Sequence, residues 1–283
     1  MTDRSELLIT TEELAARLGE ANLVILDTSW YLPHMGRDGA AEFAAARIPG
    51  AVRFDIDAIS DPSSGLPHML ASAEAFAKAV GALGVGDGSS VVVYDGMGLF
   101  AAPRVWWNLV IYGARDVRVL DGGMPKWKAE GRPLETGAPK TPAPAVFTPK
   151  IDAARVADLD AVVGMLASGE ATVVDARPGE RFRGEAPEPR PGLRGGHMPG
   201  ARSVPFASVA TDGCLGDEAK IRAAFSGVDL DRPIICSCGS GVSSAVLWLA
   251  LEAIGVPRTK LALYDGSWSE WGASPATAVV TGP

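Results

Sequence analysis

Apolar positions along this chain alternate between two rhythms. Short, nearly continuous apolar runs have the length and β-branched content of buried strands: Leu23-Val24-Ile25-Leu26, Ser90-Val91-Val92-Val93-Tyr94, Val117-Arg118-Val119-Leu120, Thr172-Val173-Val174 and Ile234-Ile235-Cys236. Between them the apolar spacing turns helical. Thr11 to Leu18 puts Leu14, Ala15 and Leu18 on one face with Thr11 as the expected cap, and Ser72 is expected to cap a helix carrying Phe76 and Val80. Strands alternating with helices predict an α/β protein with mostly parallel sheet and helices on both faces. Ligands of such sheets bind beyond the carboxyl ends of the strands.

The same landmarks occur twice, in the same order. Leu23-Val24-Ile25-Leu26-Asp27 returns as Thr172-Val173-Val174-Asp175, and Arg47-Ile48-Pro49-Gly50-Ala51 as His197-Met198-Pro199-Gly200-Ala201. Val91-Val92-Val93-Tyr94-Asp95-Gly96 matches Ile234-Ile235-Cys236-Ser237-Cys238-Gly239, and Asp121-Gly122 through Trp127 matches Asp265-Gly266 through Trp271. The offset is 150 at the Pro-Gly-Ala turn (199 − 49), 143 at the loop (238 − 95) and 144 at the last Trp (271 − 127). An internal repeat of this kind predicts two tandem domains, residues 1–135 and 151–283. Prolines at 133, 139, 142, 144 and 149 make 136–150 an extended linker, since proline suits neither helix nor interior strand.

With 283 residues, 47% of them hydrophobic and 21% charged, the chain has ample core for two domains. Its net charge of −8 argues against nonspecific binding to nucleic acid or anionic membrane. No secretory h-region or membrane-spanning run is read, and three cysteines suit a reducing compartment, so a cytoplasmic location is expected. Three scattered histidines, without Cys/His metal spacing, point to no metal, and no cofactor motif is found.

Chemistry concentrates in Cys238-Gly239-Ser240-Gly241-Val242-Ser243, a tight loop between an apolar strand and an apolar helix. Backbone N–H groups of such a loop, with the positive end of the helix behind them, favour a thiolate at Cys238. The first repeat has Asp95 at that position, so only the second retains a nucleophile.

A duplicated unit with a thiol in one copy resembles the two-domain rhodanese-type sulfurtransferases, and the six-residue loop is similar to that of the 3-mercaptopyruvate sulfurtransferases. The resemblance extends over Asp55-Ile56-Asp57, Ala102-Pro103-Arg104-Val105-Trp106-Trp107, Arg181-Phe182-Arg183-Gly184, Pro187-Glu188-Pro189-Arg190, Gly196-His197-Met198-Pro199-Gly200 and Tyr264-Asp265-Gly266-Ser267-Trp268. It implies two rhodanese-like domains and sulfur transfer from 3-mercaptopyruvate through a Cys238 persulfide, with pyruvate released. A thiol such as thioredoxin, or cyanide, would be the acceptor. Carried over by motif, Ser240, His68 and Asp57 serve Cys238, and Arg181 and Arg190 hold the substrate, with Gly239, Gly241, Val242 and Ser243 in the loop around it. Asp57 and His68 belong to the first repeat, so the active site is expected between the two. Ser243 stands where the family often has Thr, keeping the hydroxyl.

Arg183 is left outside the substrate set. Cys236 is read as a core residue with a redox role left open, Cys214 as a loop thiol, His197 as structural and His34 as without special context. The Trp residues at repeated positions are expected in the cores, with Ser267 and Trp268 near the loop. Three alternatives stay open. Thiosulfate:cyanide sulfurtransferases carry basic side chains where this loop has Gly239 and Ser240; Cdc25-type phosphatases have a loop one residue longer that ends in Arg; and a persulfide carrier would hold sulfur without turnover.

Overall fold

Each half of the chain builds one five-stranded parallel sheet, in a computed structural model that describes residues 3–283. The strands of the first sheet are β1 (Leu8–Ile9), β2 (Leu23–Asp27), β3 (Val52–Arg53), β4 (Ser90–Tyr94) and β5 (Asp116–Leu120), in the order β1-β5-β4-β2-β3. The second half supplies β6 (Val156–Ala157), β7 (Thr172–Asp175), β8 (Arg202–Ser203), a small antiparallel hairpin of β9 (Ala210–Thr211) and β10 (Cys214–Leu215), then β11 (Ile234–Ser237) and β12 (Leu261–Tyr264). Its sheet runs β6-β12-β11-β7-β8, the same permutation strand for strand. β4 and β11 are the central strands, buried along their whole length, which is why they read as unbroken apolar runs.

The helix of the first apolar periodicity spans Thr11–Arg17, but its cap is Thr10 and not Thr11. Thr10 Oγ accepts the Glu13 N–H at 3.1 Å while the Glu13 carboxylate accepts the Thr10 N–H at 2.9 Å, a reciprocal box that Thr11, one residue later, cannot make. Thr11 is instead the first helical residue and bonds Glu130 at 2.6 Å. Ser72 caps Ala73–Ala82 as expected. Residues 136–150 contain no helix or strand.

Three apolar clusters hold the layers together. Two lie on the outer faces of the sheets, one around Trp127, Phe43 and Ile25 and one around Trp268, Phe182 and Val173. The largest joins the halves. At its centre the helices Ala102–Ile111 and Ser244–Ala253 pack on each other, with Trp107 edge-on to Trp248 at 6.0 Å between ring centroids. These helices directly follow the loops at Asp95 and Cys238. Their packing therefore brings the carboxyl ends of β4 and β11, and the loops beyond them, into register across one interface. Among the described residues no helix is long and apolar enough to cross a membrane.

Candidate active site

The Asp95 loop shows what this turn does to an anion. Asp95, 1% exposed, accepts the Met97 N–H on Oδ1 at 2.8 Å and the N–H groups of Phe100, Ala101 and Ala102 on Oδ2 at 2.8–2.9 Å. A carboxylate thus fills the nest at the start of the helix, where unpaired N–H groups and the helix dipole favour negative charge. In the second half the Cys238 sulfur takes that place. Cys238 is 1% exposed, and burial, the largest single influence on it, pushes its pKa up. Hydrogen bonds to the sulfur from the Ser243 hydroxyl, the Ser240 backbone, and the side chain and backbone of Ser244 together outweigh burial and hold the thiol below its ordinary value. Cys236, on the strand and equally buried, lacks such donors; burial and the nearby Cys238 push its pKa far up.

From below, the loop is held by the turn after β12. The Cys238 N–H donates to Ser267 Oγ at 3.2 Å, the Trp268 N–H to the Cys238 carbonyl at 2.9 Å, and the Ser269 N–H and hydroxyl to the Gly239 carbonyl at 2.8 and 2.7 Å. Ser267 and Trp268 thus support the loop without lining the cavity above it.

That cavity, about 510 Å³, opens over Cys238 between the two halves. On one side stand the arginines. A Cβ added at Gly239 would lie 3.3 Å from Arg181 Nη2 and 4.0 Å from Arg190 Nη1, so the missing side chain is what lets both guanidinium groups close over the loop. Arg181, on the helical turn Gly179–Phe182, pairs with the buried Glu188, which also binds Arg177 Nη1 at 2.7 Å; its Nε is buried without a partner. Arg177 is tied in turn to Asp175 at 2.7 Å and stacks 4.1 Å from the Trp268 ring. Arg190 is half-buried, and burial lowers its pKa; only the more distant charges of Cys238, Asp57 and Glu188 offset this, and no carboxylate pairs with it among the described residues. A half-buried guanidinium without a counter-ion is costly unless an anionic ligand completes it. Arg183 follows that helical turn, pairs with Glu185 at 2.6 Å and faces solvent, away from the cavity.

Asp57, His68 and Ser240 form a chain across the interface. Asp57 Oδ1 lies 3.0 Å from His68 Nε2, and His68 Nδ1 lies 3.0 Å from Ser240 Oγ and 3.3 Å from the Ser240 carbonyl. The hydrogen bond from His68 holds the Asp57 carboxyl below the usual carboxylate range, assisted by the Trp30 Nε1–H donated to Oδ2 at 3.0 Å. His68 is buried and sits at φ 63°, a left-handed backbone that costs a β-carbon-bearing residue energy and persists only where its surroundings impose it. Arg104 imposes it. From inside the Ala102–Ile111 helix it donates to the His68 carbonyl at 2.7 Å, to the Gly241 carbonyl at 3.2 Å and to Asp265 Oδ1 at 2.5 Å, while Asp265 Oδ2 accepts the Leu70 N–H at 2.8 Å. This fully buried ion pair ties together the His68 turn, the cysteine loop and the turn after β12.

The sequence-predicted site residues thus converge, though unequally, and Arg183, left outside that set, stays outside the cavity. Cys238, Gly239, Ser240, Val242, Ser243, Arg181 and Arg190 line the cavity. Asp57 and His68 stand behind Ser240, and Gly241 at φ 79° faces Arg104 and Asp265, where it sets the turn. His197 stacks on Phe182 at 3.7 Å and binds the Phe182 carbonyl at 2.9 Å, while Cys214 lies on β10 beside Asp121 and Lys126. Sequence reasoning missed Arg177, Glu188, Arg104, Asp265 and Trp30, and it dismissed His34, which lines the cavity. Four of these fall inside or beside the motifs already quoted; Trp30 and His34 carry no local signal.

A family model described as a rhodanese-like domain matches residues 10–130 and again 158–274, and the chain belongs to that family. It is 44% identical over 268 residues to the 3-mercaptopyruvate sulfurtransferase of Escherichia coli K12, covering 92% of each chain. It is 40% identical over 295 residues to thiosulfate/3-mercaptopyruvate sulfurtransferase 1, mitochondrial, of Arabidopsis thaliana, covering 96% of this chain and 77% of that one. The crystal structure of SseA from Escherichia coli, described as a 3-mercaptopyruvate sulfotransferase, superposes with a TM-score of 0.84 at 39% identity over 92% of this chain and 98% of that one.

Proposed function

We propose that this chain is a sulfurtransferase that takes sulfur from 3-mercaptopyruvate onto Cys238, releases pyruvate, and passes the sulfur to an acceptor thiol or to cyanide. The observation that carries this is Cys238 in an anion cradle with Arg190, half-buried and without a counter-ion, beside it. Residues 1–135 and 151–283 are read as the two domains, joined by 136–150, in a cytoplasmic protein whose three thiols are free.

Cys238 thiolate attacks the sulfur of the donor. A bond forms between the two sulfurs, the carbon–sulfur bond breaks, and its electron pair passes to the enolate of pyruvate. Arg181 and Arg190 hold the carboxylate and keto oxygen, a task suited to planar guanidinium donors. The enolate needs a proton. Ser240 hydroxyl donates it and is resupplied by His68 Nδ1, while Asp57, anionic because of its hydrogen bond to His68, supports the charge on the ring until the proton has moved. Cys238 then carries a persulfide, and attack by the acceptor on its outer sulfur returns the thiolate to the cradle. Val242 and Ser243 close the loop side of the cavity, and Ser243 steadies the sulfur in both anionic states.

Thiosulfate is the second reading, kept because of the Arabidopsis relative's name. The loop has no basic side chain for a second negative charge, so kcat/KM is expected to be higher for mercaptopyruvate. Incubation with mercaptopyruvate is expected to add one sulfur, about 32 Da, to the Cys238 peptide. Cys238→Ser is expected to take up none; an adduct on Cys236 instead, or pyruvate release without Cys238, would overturn the assignment.

A further inference from the structure

The cavity exceeds its donor. Mercaptopyruvate has seven non-hydrogen atoms, and even at the roughly 30 Å³ that a water-sized group takes in a liquid it fills about 200 Å³ of the 510 Å³ present. The remaining space is chemically one-sided. Besides the arginines, the first half lines it with Trp30, Leu32, Met35, Met97 and Phe100, with His34 among them, continued by Phe206 of the second half. Phe100 lies 6.1 Å from Trp30 and 5.3 Å from Phe206 between ring centroids, one continuous apolar face.

We propose that this face is the acceptor subsite, and that it takes a low-molecular-weight thiol bearing a carboxylate near its sulfur and an apolar side group. The proposal rests on the sulfurtransferase reading above. Cys238 is 1% exposed at the floor of the cavity, so an acceptor must enter the cavity to reach the persulfide, which favours a small molecule over a flat protein surface. Pyruvate leaves before the acceptor arrives, which frees Arg181 and Arg190 for a second carboxylate. With sulfur and carboxylate both held at the loop, a side group on the intervening carbon projects across the cavity onto the apolar face. The acceptor thiolate attacks the outer sulfur of the Cys238 persulfide, the new sulfur–sulfur bond forms as the old one breaks, and Cys238 departs as thiolate. The product is the acceptor's persulfide, and no external oxidant or reductant enters the balance. The catalytically empty repeat thereby gains a second use besides supplying Asp57 and His68.

The test has two stages on the full-length protein. Loading with mercaptopyruvate is followed by mass, and the loaded protein is then turned over with 2-mercapto-3-phenylpropionate, 2-mercaptopropionate, 2-phenylethanethiol, thioredoxin or cyanide. The phenyl-substituted acid is expected to have a higher kcat/KM than either thiol that lacks one of its two groups. In the Leu32→Ser/Met35→Ser double variant its kcat/KM relative to that of cyanide is expected to fall about tenfold, the loss for uncovering roughly 50 Å² of apolar contact. Equal rates across the small thiols, an unchanged ratio in the double variant, or a higher kcat/KM for thioredoxin than for every small thiol would overturn the subsite. Failure to load would instead count against the donor reading, so the two failures are distinguishable.

Discussion

Replacing Ser243 by Ala removes one hydroxyl from the Cys238 sulfur and leaves the loop backbone intact. The Ser243 hydroxyl is the strongest of the interactions that hold the thiol below its ordinary value against burial. A hydrogen bond to a charged group is worth about 1.5–3 kcal/mol, so its loss raises the Cys238 pKa and, where the thiol form dominates, cuts the thiolate population roughly tenfold to a hundredfold. The direction follows from the reactive form. Thiolate disappears as pH falls through the folded pKa, so the acid limb of Cys238 alkylation by iodoacetamide moves to higher pH in the variant. At a fixed pH below that limb, the alkylation rate drops about tenfold for each pH unit by which the midpoint rises, since thiolate is the nucleophile. Stability follows the same sign: a depressed thiol pKa adds stability that is fully present above the unfolded value and lost as pH falls through the folded one, and the variant narrows that window. Ser243→Thr keeps the hydroxyl and is expected to retain the wild-type midpoint. An alkylation profile unmoved by Ser243→Ala would refute the assignment of thiolate stabilisation to the Ser243 hydroxyl.

Arg190→Ala is expected to raise KM for mercaptopyruvate by one to two orders of magnitude with a smaller change in kcat, measured by steady-state kinetics, because an ionic hydrogen bond to the carboxylate is lost, worth about 1.5–3 kcal/mol. His68→Asn keeps a residue tolerant of the left-handed backbone, so the fold is expected to persist while kcat falls by roughly two to four orders of magnitude with loss of the proton path; an unchanged kcat would remove His68 from the chemistry. Arg104→Met leaves Asp265 buried without its counter-ion and is expected to destabilise the protein by about 3–5 kcal/mol in urea unfolding.

The repeat was legible because buried parallel strands are written as apolar runs and helices as 3.6-residue periods, and both patterns occur twice in one order. Loop position was legible for the same reason: Cys238 must follow the central strand β11. Asp57 and His68 were reached by motif, yet the left-handed φ of His68 has no sequence signature, since nothing in Pro67-His68-Met69 demands it. The demand comes from Arg104, far off in the chain. Gly241 was read as a ligand contact because its neighbours are, whereas its backbone conformation and the Arg104 guanidinium behind it explain the glycine.

What the sequence determined alone was therefore local: which strands are buried, which turn carries the thiol, and which copy lost it to Asp95. Tertiary structure decided the partnerships. Whether a guanidinium is paired depends on what lies within hydrogen-bond reach of it in space, so only the fold separates Arg177 and Arg181, which share Glu188, from Arg190, which has no carboxylate partner among the described residues. Likewise, whether Cys238 ionises depends on how far the nearby donors of residues 240–244 offset its burial, and that burial exists only in the folded protein.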